Sequence, residues 1–183
     1  VSQHHDRRED RWRCSRNRKR LGSLEDLRRS CQSADSINGG RLTSCTVPAA
    51  GSPTFQIGEN EMEMGVGIHG EPGRKRVALS EAKDIAAEMI GAIRKDFGDQ
   101  AKGNAILLVN GFGGTPLMEL YLMHHCVEQE LAGSGITIAR SLVGNYVTSL
   151  EMAGCSVTLS LVDDELLGLW DAPVHTAGLR WGM

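Results

Sequence analysis

The sequence has no apolar run long enough to span a membrane as a helix, which excludes an integral helical anchor. Its five cysteines fall at no paired spacing, which argues against a disulfide framework and for a reducing compartment. No apolar segment follows the N-terminal charges, so they do not form a secretory signal. Together these absences point to a soluble cytoplasmic protein. Aromatics are scarce, at 4% of the chain, and among the arginines of the first twenty residues Trp12 is the only one. A nucleic-acid arm would need more stacking surface than that, and no nucleic-acid fold motif follows.

Charge is unevenly placed. Residues 1–41 hold 11 Lys/Arg and 6 Asp/Glu, a surplus of five positive charges, whereas the remainder holds 9 and 17. The first twenty residues show neither helical nor strand periodicity and too few apolar side chains to offset chain entropy. Residues 1–41 are therefore expected to be a disordered basic segment unlike the rest. Two origins are open for it: a basic arm for an acidic partner, or translation in a wrong frame. A boundary at residues 41/42 divides it from a coherent domain over 42–183. Val47 to Pro53 reads as a loop fixed by two prolines, and Thr54 to Gly58 as a short strand.

The run Asn60 to Ile68 alternates, with Met62, Met64, Val66 and Ile68 on one face and Glu61, Glu63, Gly65, Gly67 and His69 on the other. A period of two predicts a half-buried strand with the Met/Val/Ile face on the core. His69 stands at its end among glycines that leave room for a ligand. Pro72-Gly73 suits the centre of a type II turn. By spacing alone His69 is either a nucleophile, acid/base group or ligand, or a strand-end histidine bonded to a nearby loop. Arg74-Lys75-Arg76 reads as a solvated charge run.

Beyond it, Ser80 is expected to cap a helix running to about Lys95, with Ile85, Met89 and Ile93 forming its apolar stripe beside Ala86 and Ile90. Ala105 to Val109 is a continuous apolar run, expected as a strand covered on both faces. Asn110-Gly111-Phe112-Gly113-Gly114-Thr115-Pro116 then turns strand into helix. This loop lacks the lysine of a phosphate-binding Walker loop, and its plain reading is a Thr115 cap with Pro116 opening the helix. Leu117, Leu120, His124, Val127 and Leu131 share one face of that helix. His124 and His125 are adjacent and cannot form an i, i+4 metal pair. Ile136 to Leu142 and Ser156 to Val162 read as strands. Asp163 to Trp170 reads as a short helix whose acidic start suits the helix dipole. No metal site is assigned. Alternating strands and helices predict an α/β domain with a mixed or mostly parallel sheet flanked by helices.

Several words of the sequence resemble, in order, the K subunit or K domain of dihydroxyacetone kinases. They are Cys45-Thr46-Val47-Pro48-Ala49-Ala50-Gly51, Glu59-Asn60-Glu61-Met62-Glu63 and Gly67-Ile68-His69-Gly70-Glu71-Pro72-Gly73. Then come Asn110-Gly111 with Gly113-Gly114-Thr115-Pro116, Leu142-Val143-Gly144-Asn145-Tyr146, Thr148 to Gly154, Asp163-Asp164-Glu165, and Leu169 to Thr176. The resemblance covers about residues 42–183.

It implies an incomplete K-type domain, the carboxyl-side half, whose histidine at His69 holds dihydroxyacetone covalently as a hemiaminal for phosphorylation to dihydroxyacetone phosphate. It implies no nucleotide on this chain. ATP, or ADP with magnesium, belongs on a separate L subunit or domain, in the second case recharged through a phosphotransferase-system M subunit. The complete K protein is expected to be a homodimer. The family's catalytic aspartate lies outside the matching half, so the chain alone is expected to be inactive as a kinase. A non-catalytic ketone-binding regulator and an inactive truncated remnant are the alternatives.

Overall fold

The computed structural model describes residues 34–53, 55–66 and 75–182. The compact unit begins at Ala34. Its centre is a six-stranded sheet of β1 (Asp35–Arg41), β2 (Glu61–Met64), β3 (Lys75–Ala78), β4 (Gly103–Gly111), β5 (Ile136–Gly144) and β6 (Gly154–Val162). The spatial order is β3-β2-β1-β6-β4-β5. Only β4 and β5 run parallel, and every other neighbouring pair is antiparallel. The sheet is therefore mixed. Its parallel pair is a strand–helix–strand unit, because parallel neighbours need a crossover and α2 (Leu117–Leu131) supplies it.

β1 corrects the expected domain boundary. It lies on the basic side of residues 41/42, yet it pairs with β6 over seven positions, from Asp35 opposite Ser160 to Arg41 opposite Gly154. Ile37 and Gly39-Gly40 gave no strong strand signal in a charge-rich context. Two flanking strands place them in the sheet regardless. Residues 1–33 lie outside the described residues.

The helix α1 (Ala82–Phe97) follows the expected stripe. Ala86, Met89, Ile90, Ile93 and Phe97 are buried, with Ile85 packed at their edge. Fully burying each of the larger side chains stabilises by about 1.5–3 kcal/mol. The helix is not capped by Ser80. Glu81 takes that position without a side-chain bond, and Gly98, at φ +55°, closes the other end, its N–H donating to Arg94 O. Arg94 and Lys95 in the last turn complement the helix dipole.

α1 and α2 pack against each other and against one face of the sheet, meeting Leu107, Val109, Val157 and Leu159. On α2 the buried set is Leu120, Met123, Val127 and Leu131. Leu117, expected on that face, is the first residue of the helix and is exposed. The two-sided covering expected of β4 is partial: Ile106 on the second face is buried, while Leu108 is only half-buried. The expected strand at Thr54 to Gly58 does not form among its described residues, and Thr46 instead makes one bridge to Pro53. α3 (Asp164–Trp170) is opened by Asp163, whose carboxylate accepts Leu166 N–H at 2.8 Å. β7 (Val174–His175) and β8 (Arg180–Trp181) form a separate small hairpin.

Candidate functional site

The histidine singled out by the sequence, His69, lies outside the described residues, as do Ile68 and the Pro72-Gly73 turn. What the structure describes is the frame that holds their segment. β2 and β3 are antiparallel neighbours, with Met64 opposite Lys75, so residues 65–74 connect the two strands of a hairpin. The alternation expected before His69 is present: Met62, Met64 and Val66 are buried. The strand ends at Met64, however, well short of Ile68. There Gly65 and Val66 both donate their N–H to Gly39 O, at 2.8 and 3.0 Å. Two successive donors on one carbonyl, with Gly65 at φ +75°, make a bulge that only glycine adopts easily. Bulges re-aim the chain, and this one starts the connection that carries His69.

Gly39 is fitted to this approach. A Cβ there would lie 2.9 Å from Val66 O and 3.3 Å from the Phe112 ring. Phe112 belongs to a second, smaller core with Cys45 and Met152, against which Phe55 packs. The guanidinium of Arg41 stacks 4.0 Å from the centre of the Phe55 ring. Arg41 is buried, and its Nε donates to Glu63 at 2.9 Å. Arg76 donates to the other Glu63 oxygen at 3.0 Å. The hydrogen bond from Arg41 holds the Glu63 carboxyl below the usual carboxylate range, against an opposing push from burial. Lys75 reaches Glu88 on α1 at 2.8 Å. The described part of the Arg74-Lys75-Arg76 run is thus exposed but paired.

The glycine-rich turn after β4 has a structural use. Phe112 N–H donates to Gly154 O at 3.1 Å and Gly114 N–H to Met152 O at 2.8 Å, so these amides are spent on the chain itself. A Cβ on Gly113 would lie 2.1 Å from Leu150 O, and one on Gly114 2.3 Å from Glu151 O. The glycines let residues 150–154 lie directly on the turn. Thr115 does not cap α2. Its hydroxyl donates to Gly154 O at 3.0 Å and accepts Gly154 N–H at 2.8 Å, while Pro116 takes the cap position. A β-branched hydroxyl beside a strand start can bond both backbone groups of one residue, and here that bond fixes β6 to the turn.

Sequence reasoning missed Asn110, which is buried at the end of β4 and holds the Tyr146-Val147 backbone. A polar residue closing an apolar strand was the available signal. It also missed Gly39-Gly40, whose position inside a strand signals close approach of another chain segment. His124 Nδ1 lies 3.5 Å from Glu128, and His125 is exposed. Among the described residues, no group of three or more His, Cys, Asp or Glu side chains could hold a metal ion. No helix among them is long and apolar enough to cross a membrane.

A mixed six-stranded sheet with two helices packed on one face defines an α/β domain. Comparison with known proteins names its family. The Dak1 domain matches residues 14–178, and the chain belongs to that family. The match takes in residues 14–41, which the sequence reading had set apart. The chain is 41% identical to the dihydroxyacetone-binding subunit DhaK of the PEP-dependent dihydroxyacetone kinase of Escherichia coli (strain K12), over 88% of this chain and 52% of that protein. It is 37% identical to the DhaK subunit of the PTS-dependent dihydroxyacetone kinase of Lactococcus lactis, over 88% of this chain and 48% of that one.

Among solved structures, the dihydroxyacetone kinase operon co-activator DhaQ superposes with a TM-score of 0.76 at 33% identity, over 84% of this chain and 48% of that chain. The dihydroxyacetone kinase of C. freundii superposes at 0.72 with 21% identity, a likeness of fold. The chain spans about half the length of the DhaK relatives it matches.

Proposed function

We propose that this chain is the part of a dihydroxyacetone kinase K protein that binds the ketone. The observation that carries this reading is the 41% identity to a dihydroxyacetone-binding subunit over 88% of the chain. His69 is the residue that acts on the ketone. Its ring nitrogen adds to the carbonyl carbon, the carbonyl π pair moves to oxygen, and the proton of the ring N–H passes to that oxygen, leaving a neutral hemiaminal. The tether orients a substrate hydroxyl for in-line phosphoryl transfer, so its contribution is positioning. It also discriminates, since glycerol has no carbonyl to add to.

The phosphoryl donor, ATP or ADP with magnesium, sits on a separate L subunit, with a phosphotransferase-system M subunit as a further partner in the second case. The complete K protein is a homodimer. Transfer itself belongs to that assembly. The test is magnetic resonance of dihydroxyacetone isotopically labelled at its carbonyl carbon, mixed with the purified chain. A trigonal carbonyl signal converting to a tetrahedral one in the wild type, and not in His69→Ala, is the expected result. No conversion in the wild type overturns the reading.

The superposition on the operon co-activator favours a second reading, a ketone-binding regulator without turnover. Adding an L subunit and a phosphoryl donor separates the two. Product formation supports the kinase, and adduct without product supports the regulator.

A further inference from the structure

Helix α2 buries Leu120, Met123, Val127 and Leu131 in the core. A helix with one apolar face normally turns polar side chains to water on the other. The first two turns of α2 do not. Leu117, Met118, Tyr121 and Leu122 are each more than half exposed, and Met118 reaches 78%. Residues four apart are neighbours on a helix surface, so 117 and 121 adjoin, as do 118 and 122, and the four make one outward stripe. The one charge between Leu117 and Leu122, Glu119, falls beside that stripe.

The loop that leaves β5 extends the surface. Ser149 N–H donates to Phe112 O at 2.7 Å and Gly114 N–H to Met152 O at 2.8 Å, so the loop is held on the turn that leads into α2. It brings Tyr146 and Leu150 to the same end of the domain, 41% and 53% exposed. Leu150 stands at φ +52°, the one residue other than glycine at positive φ among the described residues. Bulky side chains rarely adopt that conformation, and it persists only where the surroundings impose it. Here it presents a leucine to water.

Single exposed leucines need no explanation, but a cluster does. Large apolar side chains carry roughly 150–250 Å² each, so these six at about half exposure present on the order of 600 Å². The largest apolar patch on a monomer is about 300–600 Å². A homodimer interface core is about 65% apolar, so the patch corresponds to roughly 900 Å² per partner, against about 800 Å² in a standard-sized interface. Aromatics and methionine are enriched in such cores and charges depleted. From residue 42 onward the chain holds 9 basic and 17 acidic residues, so a second copy is repelled by much of this surface and accepted where charge is absent.

We propose that the outward stripe of α2, with Tyr146 and Leu150, is where two copies of this chain meet about a two-fold axis. The inference rests on the reading that the complete K protein is a homodimer and gives that dimer its surface. It does not involve His69, so self-association and ketone binding fail separately.

Sedimentation of the full chain over a dilution series should show a monomer–dimer equilibrium. Met118→Glu and Leu122→Glu should each raise the dissociation constant about thirtyfold or more, because a buried charge would face an apolar or like-charged neighbour. Leu169→Glu, on exposed α3 at the other end of β6, should leave it unchanged. A second readout needs no variant. Met118 is exposed, whereas Met62, Met64, Met89, Met123 and Met152 are buried. Peroxide should oxidise Met118 first in dilute protein, and about tenfold more slowly once the dimer forms.

A chain that stays monomeric overturns the proposal. So does a dimer that survives both glutamate variants or that Leu169→Glu also breaks, and so does Met118 oxidation indifferent to concentration. Protection of Met118 by an L subunit in place of a second copy overturns the choice of partner. Carbonyl conversion by a monomeric chain removes this interface and leaves the ketone reading standing.

Discussion

Asn110 and the backbone of Val147 exchange two hydrogen bonds: Asn110 Nδ2 donates to Val147 O at 2.9 Å, and Val147 N–H donates to Asn110 Oδ1 at 2.8 Å. The same Oδ1 also accepts Tyr146 N–H at 2.9 Å. One side chain at the end of β4 therefore stands in for a strand partner along the loop that leaves β5. Asn110→Ala would strip three backbone groups of their partner in one step. It is expected to destabilise the domain by about 2–3 kcal/mol, because part-buried backbone groups lose bonds they cannot fully recover from water. Denaturant unfolding of the two proteins checks this. A loss below about 0.5 kcal/mol, the scale of a neutral surface change, would show that the loop does not depend on the clamp.

Two glycines on this chain should respond to alanine in opposite senses. At Gly113 the backbone holds φ +118°, and a Cβ would lie 2.1 Å from Leu150 O, a backbone atom that cannot swing aside. Gly113→Ala is expected to cost more than about 3 kcal/mol or to displace residues 148–152. Gly91 sits inside α1, and beyond its chain neighbours and the adjacent helix backbone nothing comes within 4 Å of the position its Cβ would take. Gly91→Ala removes backbone freedom from the unfolded chain and should stabilise by about 1 kcal/mol. Thermal melts of both variants beside the wild type decide the pair. A stabilising Gly113→Ala would mean that residues 148–152 do not press on the turn.

The contrast between those glycines shows what the sequence could and could not convey. The stripe Ile85, Met89, Ile93 and the apolar run Ala105 to Val109 were legible because burial imposes a period on neighbouring residues. The Met62, Met64, Val66 alternation before His69 was legible for the same reason. β1 was not. Its Gly39-Gly40 pair carries no strand propensity, and its place is set by β2 and β6, which come later in the chain. The role of Thr115 was likewise hidden, since its partner Gly154 is distant in sequence. A hydroxyl ahead of a helix reads locally as a cap. Only the folded chain supplies the competing backbone groups. For the candidate site, His69 was named from a motif, while the bulge at Gly65 that precedes it depends on β2 meeting Gly39 of β1.

The Arg41–Glu63 pair gives the domain a defined response to acid. The hydrogen bond from Arg41 lowers the folded-state pKa of Glu63, so the unfolded chain binds that proton more readily than the folded one. The resulting stability is fully present above the unfolded value, about 4.3 for a glutamate. It is lost as pH falls through the lower folded value. Glu63→Gln should therefore be less stable than the wild type at neutral pH, by about 2 kcal/mol for a charge-assisted bond to Arg41. The two should converge at the acid end, where both carry a neutral side chain. Denaturant midpoints taken from neutral pH down to the acid limb test this. A difference that stays constant with pH would show that the charge on Glu63 is not what stabilises the pair.

Cys155 offers a probe of the sheet centre that needs no engineering. It lies opposite Gly40 in β1 and Gly111 in β4, and it is buried. Desolvation there pushes its thiol pKa up to about 12. The thiolate is the nucleophile in alkylation, so at neutral pH the folded protein offers a reagent almost none of it. Cys126, on α2, is only half-buried. An alkylating reagent applied near neutrality, with site-resolved mass spectrometry, should modify Cys126 in the native protein. Cys155 should react only at the rate of global unfolding, and its labelling should rise together with the loss of sheet signal as denaturant is added. Rapid native labelling of Cys155 would mean that β1 separates from β6 without unfolding the domain. The Gly39 anchor of the His69 segment would then be intermittent, and ketone binding should weaken under the same conditions that expose the thiol.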